Sequence, residues 1–430
     1  MNEKINKIIS VYKRDGFKVT AQKIFRHLNY VILFKHNPRY FFDFKMNYQK
    51  YNQQLDEILN SDYDHLVVWR GSFGWKVPLF QRPQHIAREL SNNKCLVLYA
   101  TYKDDKTLTI EKVKDNLYLI NFQNQRFADF LEKKIQKLNK PKYIQLYSTD
   151  WFKTTNDLQN FINQGYKILY EYVDELAPEL TGTKELSKNI TSKYNFCVKN
   201  PKDALIVVTA DKLYDDVRKV RKDNIVFSSN GVEYEHFADV DKTKVPEKLQ
   251  KILNLNKPII GYYGALAKWV DYDLIKYISK NRPDYQIVLI GLKYDNAYDL
   301  SKIDELENVH NLGVVDYKDL PIYASKFDVA TIPFLINDIT KSTSPCKLFE
   351  YMSASIPIVT TDLYECRKYK SVMIGKNKKE FTELLDKAIK MKKGKDKKYF
   401  ALLKKEALEN TWEAKAKLII DGMNKMEKKN

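Results

Sequence analysis

STSPCKLFEYMSASIPIVTTD, residues 342–362, is the stretch that decides the fold of this chain. It begins as a polar loop and continues into a short amphipathic helix, predicted over residues 346–353, that ends before Pro357. A β-branched run follows at residues 358–360, as in a buried strand. A helix that leads directly into a buried parallel strand is the repeating unit of a doubly wound sheet. The stretch therefore predicts an α/β fold.

The helix of this stretch carries Lys347 and Glu350 one turn apart on one face. Leu348, Phe349 and Met352 form its apolar face. Free backbone amides and a lysine at a helix start suit a phosphate, and a carboxylate one turn later suits the two hydroxyls of a sugar. The same spacing also fits an ordinary ion pair on a packed helix, so spacing alone leaves both interpretations open.

The rest of the chain repeats the alternation of strand and helix in two series. The first series has strand-like runs at residues 66–69, 96–99, 117–120, 143–147, 168–172, 205–208 and 225–227. The second has runs at residues 259–263, 286–290, 309–312, 329–332, 358–360 and 372–374. Helical patterns separate these runs, so each series predicts a parallel sheet.

A chain of 430 residues is long enough for two domains with extensions. The predicted parts are a basic aromatic helical extension (1–60), a first Rossmann-like domain (61–235), a linker with one helix (236–257), a second Rossmann-like domain (258–405) and a C-terminal helix that crosses back (406–430). Ligands of open parallel sheets bind beyond the carboxyl ends of the strands. Two such domains facing each other across a cleft would bring two substrates together, which suits group transfer.

Composition and charge exclude several classes of protein. The apolar share of 44% and the charged share of 30% are those of a soluble globular protein. A net charge of +18 predicts an anionic partner. Because no nucleic-acid-binding motif appears, we expect a membrane surface or a phosphate-bearing substrate and no nucleic acid. Because no apolar run could span a bilayer and the first residues do not resemble a signal peptide, we expect a cytoplasmic protein.

Cysteine and histidine spacing argues against disulfides and metal sites. Cys95, Cys197, Cys346 and Cys366 lie far apart, with no CxxC pair. The six histidines form no HxxxH or HExxH pair. We therefore expect free thiols in a reducing compartment and no structural metal.

Residues 1–60 combine positive charge with aromatic side chains. They hold eleven lysines and arginines against five acids, interleaved with phenylalanine, tyrosine and isoleucine. This composition is typical of a helix that lies on an anionic membrane surface. It also fits a helical extension that packs its aromatic side chains on the body of the protein, and the sequence leaves both interpretations open.

Four blocks stand in order along the chain. They read WRGSFGWKVPLFQRPQHIAREL (69–90), FSSNGVEYEHF (227–237), IIGYYGALAKWVDYDLI (259–275) and KLFEYMSASIPIV (347–359). In this combination the chain resembles glycosyltransferases of the GT-B fold, more narrowly family 4 and the related teichuronic-acid and capsule enzymes. The fourth block is similar to the nucleotide-sugar element KLxEYMAxGxPVV, and ALENTWEAKAKLI (407–419) resembles the returning C-terminal helix.

The resemblance implies a nucleotide-diphosphate sugar, with UDP as the expected nucleotide, held mostly by the second domain, and an acceptor on the first. By position, Glu350 would accept hydrogen bonds from the ribose hydroxyls. Lys347 and the amides around Ser344 and Pro345 would face the diphosphate. Gly264 would let the loop after the first strand of that domain approach the phosphates closely.

Two departures from the family affect the expected mechanism. Many family 4 members have an acid eight residues before the position of Glu350, where this chain has Ser342. They also carry an Arg–Lys pair in the glycine loop, where this chain has Ala265 and Lys268. The retaining mechanism common in that family is therefore not assumed, and we expect an inverting one. No DxD motif appears in the position that single-domain, metal-dependent glycosyltransferases use. Lys347, Lys268 and the helix start would therefore stabilise the leaving diphosphate without an essential metal or other cofactor.

An inverting transferase needs a general base on the acceptor side. LYEYVDE, residues 169–175, ends a predicted strand of the first domain and looks like the strand end that supplies an aspartate in lipid-linked glucuronosyltransferases of the same fold. We therefore predict Asp174 as the base, with Glu171, Glu175 and His85 as alternatives. An acid at this place can instead stabilise a helix start.

Three residues near the first predicted helix are candidates for binding the acceptor. Trp75 lies in a loop, where its ring can stack on a sugar. Arg82 can meet an acceptor pyrophosphate, and His85 can hydrogen-bond the acceptor. Packing, a surface ion pair and a buried structural histidine are the respective alternatives.

We therefore predict an enzyme on the cytoplasmic face of the plasma membrane that transfers a sugar from a nucleotide to a lipid-linked or growing bacterial surface polysaccharide, such as a capsule or other cell-envelope glycan. Two alternatives remain: a nucleotide-sugar epimerase of similar fold, and a non-catalytic protein that binds a membrane or a polyanion.

Overall fold

A computed structural model of the protein describes residues 38–71, 73–77, 80–101, 109–150, 153–176 and 185–428, together with Ala21 and Ile24. The chain forms two compact units, one within residues 1–76 and 94–142 and the other within residues 77–93 and 143–430. Most of the predicted extension before residue 38 lies outside the described residues.

The described residues contain fourteen strands and seventeen α-helices. The strands are β1 (His65–Trp69), β2 (Cys95–Ala100), β3 (Ile110–Lys114), β4 (Leu117–Ile120), β5 (Lys142–Tyr147), β6 (Lys167–Tyr172), β7 (Ala204–Val208), β8 (Ile225–Phe227), β9 (Ile259–Tyr263), β10 (Gln286–Ile290), β11 (Val309–Asn311), β12 (Val329–Ile332), β13 (Ile358–Thr361) and β14 (Val372–Gly375). The helices are α1 (Pro38–Met46), α2 (Tyr48–Leu59), α3 (Arg82–Asn92), α4 (Gln125–Ile135), α5 (Thr155–Asn163), α6 (Lys188–Lys199), α7 (Asp211–Arg218), α8 (Tyr234–Ala238), α9 (Glu247–Leu253), α10 (Tyr272–Asn281), α11 (Ala297–Ser301), α12 (Leu320–Ala324), α13 (Asp338–Lys341), α14 (Cys346–Ser353), α15 (Lys378–Lys393), α16 (Lys397–Leu408) and α17 (Trp412–Lys428). Every predicted strand is confirmed to within one residue at each end.

The first unit holds strands in the order β3-β4-β2-β1. β1, β2 and β4 are parallel, and β3 is an antiparallel edge strand. The sequence pattern missed β3 because three of its five residues, IEKVK, are charged and none is buried, so no apolar run marks it.

Helices α1 and α2 pack against the rest of the first unit through aromatic rings. The ring of Phe44 lies 6.4 Å from those of both Tyr51 and Phe127. The Asp43 carboxylate accepts hydrogen bonds of 2.7 Å from the Tyr51 hydroxyl and from Thr109 Oγ1. Residues 38–59 therefore pack their aromatic side chains on the body of the protein, which was one of the two predicted alternatives. Membrane binding by the extension stays a prediction.

The second unit contains two runs of parallel strands. One has the order β5-β6-β7-β8, and the other is a six-stranded sheet in the order β11-β10-β9-β12-β13-β14. The second order is that of a Rossmann sheet, in which β9 and β12 mark the switch point for ligands. Most of these strands are wholly buried, which explains why their apolar runs predicted them.

The end of the chain differs from the single crossing helix predicted over residues 406–430. It forms α16 and α17, separated by residues 409–411. Val232 causes the break: its amide donates to the Asn410 carbonyl and its carbonyl accepts from the Trp412 amide, both at 3.0 Å. α17 does cross back as predicted, since Gly422 lies against Val226 and Leu205 of β8 and β7. The predicted linker contains α9 and also the last residues of a second short helix, α8, which begins in the predicted first domain.

Candidate functional site

Helix α14 presents its two charged side chains beside the switch point of the six-stranded sheet. Pro345 occupies the N-cap position with extended backbone, and the helix begins at Cys346. Leu348, Phe349, Tyr351 and Met352 are buried, whereas Lys347 and Glu350 are half-buried. The apolar and polar faces predicted from the sequence are therefore confirmed.

The Lys347 side chain lies on the glycine loop that follows β9. Gly264 has a φ of +138°, and a Cβ atom added there would be 2.8 Å from Lys347 Cε and 3.1 Å from Nζ. The ammonium also lies 5.0 Å from the ring centre of Phe334 and 5.5 Å from that of Tyr262. Gly264 is thus needed both for its backbone conformation and for the room that Lys347 occupies.

A second glycine, which the sequence analysis missed, lies against this loop. Gly291 follows β10 with a φ of +153°, and a Cβ atom there would be 1.9 Å from the Gly264 carbonyl oxygen. The Gly264 amide donates to the Ile290 carbonyl at 2.9 Å. The signal that could have found Gly291 is its place directly after a buried strand, which it shares with Gly264.

The Glu350 carboxyl lies among aromatic side chains. Burial raises its pKa from 4.5 to about 7, and the Tyr263 hydroxyl and the Lys347 charge oppose this rise. Tyr317 also lies nearby: burial raises the pKa of the Tyr317 hydroxyl, and the Glu350 charge raises it further. Burial also lowers the pKa of Lys347. The surroundings of both groups therefore favour their neutral forms.

The other predicted donor-binding residues, Ser344 and Lys268, differ in burial and in their contacts. Ser344 is buried, and its carbonyl accepts a 2.7 Å hydrogen bond from Asn230 Nδ2. Lys268 is exposed, and its backbone amide donates to Asp295 Oδ2 at 3.0 Å. No contact described in the structure joins the Lys268 side chain to Lys347. Its role at the diphosphate stays a prediction.

The three acids predicted around the end of β6 occupy different environments. Glu171 is fully buried and accepts hydrogen bonds from Arg82 Nε at 2.7 Å and Gln145 Nε2 at 3.2 Å. Glu175 forms an ion pair with Lys212. Asp174 has an exposed side chain beyond the strand end. The surrounding protein raises its pKa and the Arg82 charge opposes that rise. Of the three, Asp174 is best placed to meet a substrate.

His85 is a buried, neutral side chain. Burial, with the charges of Arg88 and His236, lowers its pKa to about 3. Its ring stacks on Trp412 at 5.0 Å. Arg88 Nη2 lies 3.3 Å from Nδ1, and because a guanidinium can only donate, Nδ1 accepts and the proton sits on Nε2. This tautomer suits a hydrogen-bond donor better than a base.

Trp75 lies in the first unit and is 8% exposed. Its ring meets the Tyr99 ring edge to face at 5.1 Å. This packing favours the structural alternative over an open platform for a sugar, and the acceptor role of Trp75 stays a prediction.

The described residues provide neither a metal-ligating cluster nor a membrane-spanning helix. Within the described ranges, no group of three or more histidine, cysteine or acidic side chains is arranged to hold a metal ion. All four cysteines are free thiols. Among the helices described, none combines the length and the apolar character needed to cross a bilayer.

The glycine loop and α14 lie in a part of the chain that matches a known family model. Residues 257–390 match the family model described as Glycosyl transferases group 1. TuaH of Bacillus subtilis (strain 168), provisionally described as a teichuronic acid biosynthesis glycosyltransferase, is 25% identical over 206 residues, or 46% of this chain and 51% of that protein. The chain thus spans about half the length of the curated relative that it matches.

Solved structures share the fold at low sequence identity. Sucrose-phosphate synthase from Thermosynechococcus elongatus has a TM-score of 0.59 at 13% identity, over 86% of this chain and 100% of that one. Anabaena HepE in complex with UDP has a TM-score of 0.57 at 11% identity, over 84% of this chain and 100% of that one. The fold is GT-B, and the predicted resemblance to GT-B glycosyltransferases is confirmed.

Proposed function

We propose that this protein is a glycosyltransferase that moves a sugar from a UDP-linked donor to a lipid-linked glycan in the synthesis of a bacterial surface polysaccharide. The observation that carries the proposal is that Lys347 lies on Gly264, one helical turn from Glu350, at the switch point of the sheet in a region that matches a group 1 glycosyl transferase domain. The likeness to a relative described for teichuronic acid biosynthesis supports the class of product.

On the donor side, the ionised Glu350 accepts hydrogen bonds from the two ribose hydroxyls. The first amides of α14 and the Lys347 ammonium then face the diphosphate. Gly264 leaves the backbone open to the phosphate oxygens. These groups supply positive charge where the leaving group becomes negative, so we propose that no metal is required.

On the acceptor side, Asp174 takes the proton of the acceptor hydroxyl. The acceptor oxygen forms a bond to the anomeric carbon as the bond from that carbon to the diphosphate oxygen breaks. The electron pair of the broken bond leaves on the nucleoside diphosphate. Attack from the face opposite the leaving group inverts the configuration. A raised pKa suits Asp174 to this role, because a stronger base accepts the proton more readily.

Two variants test the donor and acceptor assignments separately. Glu350→Ala should abolish UDP binding, measured by calorimetry. Asp174→Asn should leave UDP binding unchanged and lower the rate of transfer by about 10²-fold or more, since a general base contributes about that factor. Transfer from a panel of nucleotide sugars to a lipid-pyrophosphate sugar is the assay, with and without EDTA.

Glu175→Gln is the matched control, because Glu175 follows the same strand and is occupied by Lys212. It should transfer at the wild-type rate. Normal transfer by Asp174→Asn would refute the base assignment. Interconversion of UDP-sugars without an acceptor would favour an epimerase, and unaltered donor after long incubation with membranes would favour a non-catalytic protein.

A further inference from the structure

Arg82, the first residue of α3, is held by two of its three guanidinium nitrogens. Its side chain is buried, with 5% of the residue exposed. Nε donates to Glu171 Oε2 at 2.7 Å, and Nη1 donates to the Ser229 carbonyl at 3.0 Å. Nη2 is also buried, and the part of the chain that the structure describes offers it no hydrogen-bond partner.

A buried guanidinium nitrogen without an acceptor is costly, so this one points to a missing ligand. Water can satisfy such a group, but an anion satisfies it more strongly because the hydrogen bond is then charge-assisted on both sides. The two held nitrogens fix the plane of the guanidinium. Nη2 is therefore aimed before any ligand binds.

The surroundings of Arg82 connect it to the start of α14. Ser229, which accepts from Nη1, precedes Asn230, whose Nδ2 donates to the Ser344 carbonyl at 2.7 Å. Ser344 lies two residues before the helix begins at Cys346. The Arg82 charge also opposes the rise in pKa that the surrounding protein causes at Cys346 and at Asp174. The Arg82 guanidinium thus lies near both the end of β6 and the start of α14.

At the start of α14, Lys347 is the charged side chain placed to meet a leaving diphosphate. The glycine loop carries Ala265 and an exposed Lys268, which makes no described contact with Lys347. Lys347 supplies one ammonium group, whereas a departing nucleoside diphosphate bears two or more negative charges. A second cation at this place would offset the charge that develops as the glycosidic bond breaks.

We propose that Arg82 Nη2 binds the diphosphate of the donor, so that the first domain and the group 1 domain together hold the leaving group. This inference rests on the proposed function and replaces the acceptor role predicted for Arg82. As the bond from the anomeric carbon to the diphosphate oxygen breaks, the electron pair goes to that oxygen. Arg82 stabilises it without giving up a proton. Glu171 acts as a positioning residue.

The ratio of UDP to UMP affinity isolates this contact, because the two nucleotides differ by the β-phosphate alone. Calorimetry on the full chain should show that wild type prefers UDP and that Arg82→Lys, which loses Nη2, reduces the preference by about tenfold or more. UMP affinity should stay within a factor of two or so, since the remaining contacts are intact. Lys219→Gln, which removes one exposed positive charge, is the control and should preserve the preference.

Because Arg82→Gln alone leaves Glu171 buried without its partner, the neutral variant is the double substitution Arg82→Gln with Glu171→Gln. Its thermal unfolding checks that the fold is kept, and it too should lose the UDP preference. An unchanged preference in both variants, with a raised KM for the lipid-pyrophosphate acceptor, would overturn the inference and restore the acceptor role. Failure of wild type to bind either nucleotide would instead refute the proposed function itself.

Discussion

The Glu350 carboxyl gives the donor site a dependence on pH. Burial raises its pKa from 4.5 to about 7 in the unliganded protein, whereas ribose hydroxyls need the ionised form as acceptor. UDP affinity should therefore fall as the pH drops through about 7, by up to about tenfold per pH unit. Calorimetry between pH 5.5 and 8.5 measures this dependence.

The control for this prediction is Glu350→Gln, which keeps the shape of the side chain and does not titrate. Its UDP affinity should be weaker at pH 8 and should retain only the pH dependence of the nucleotide phosphates. The folding stability of the unliganded wild type changes with pH in the opposite direction to its UDP affinity. Because the pKa of Glu350 is raised in the folded state, the stability that Glu350 contributes is present below about pH 4.5 and is lost as the pH rises through about 7. If the UDP affinities of wild type and Glu350→Gln changed in parallel with pH, Glu350 would not bind the ribose hydroxyls as a carboxylate.

At the scale of elements, the end of α14 carries a strained residue. Ser355 has a φ of 55°. Its amide donates to the Met352 carbonyl and the Ile356 amide donates to the Tyr351 carbonyl, both at 3.1 Å, which is the Schellman pattern. The related family element has glycine at this position. Ser355→Gly should therefore raise the free energy of unfolding by up to about 1 kcal/mol, measured by urea denaturation.

Ala354→Gly is the matched control, since Ala354 has a right-handed helical backbone with φ of −71°. It should lower the free energy of unfolding by about 0.5–1 kcal/mol, because glycine there gains nothing and loses chain entropy. Destabilisation by Ser355→Gly would show that the serine side chain outweighs the backbone strain.

The elements divide into those that the sequence could predict and those that it could not. Strands that are buried on both faces have continuous apolar sequences. For this reason the bounds of β9, β10 and β12 were predicted to the residue. The break between α16 and α17 could not be predicted, because Val232, about 180 residues earlier, imposes it. Sequence distance had the same effect at the site. Glu350 and Lys347 were predicted together because they lie on one helix, whereas Glu171 and Arg82 were given separate roles. Their ion pair joins residues 89 positions apart.

At the scale of the whole molecule, the basic extension divides at residue 37. Tyr51 and Leu55 of α2 are buried, so removal of residues 38–59 would expose core side chains of the first unit. Residues 1–37 hold eight lysines and arginines against two acids. This segment is therefore the part of the extension on which a membrane role can be tested without cutting α1 or α2.

Each basic residue near an anionic bilayer contributes about 1 kcal/mol. We therefore expect the charge of residues 1–37, together with their aromatic side chains, to be enough for reversible binding. The full chain should sediment with vesicles that contain anionic lipid, remain in solution with neutral vesicles, and be released as salt screens the attraction. A chain that starts at Pro38 should remain in solution with both. Its thermal unfolding should match that of the full chain, because α1 and α2 are kept. Sedimentation of the shortened chain with anionic vesicles would place the basic surface elsewhere and end the case for a membrane role of the extension.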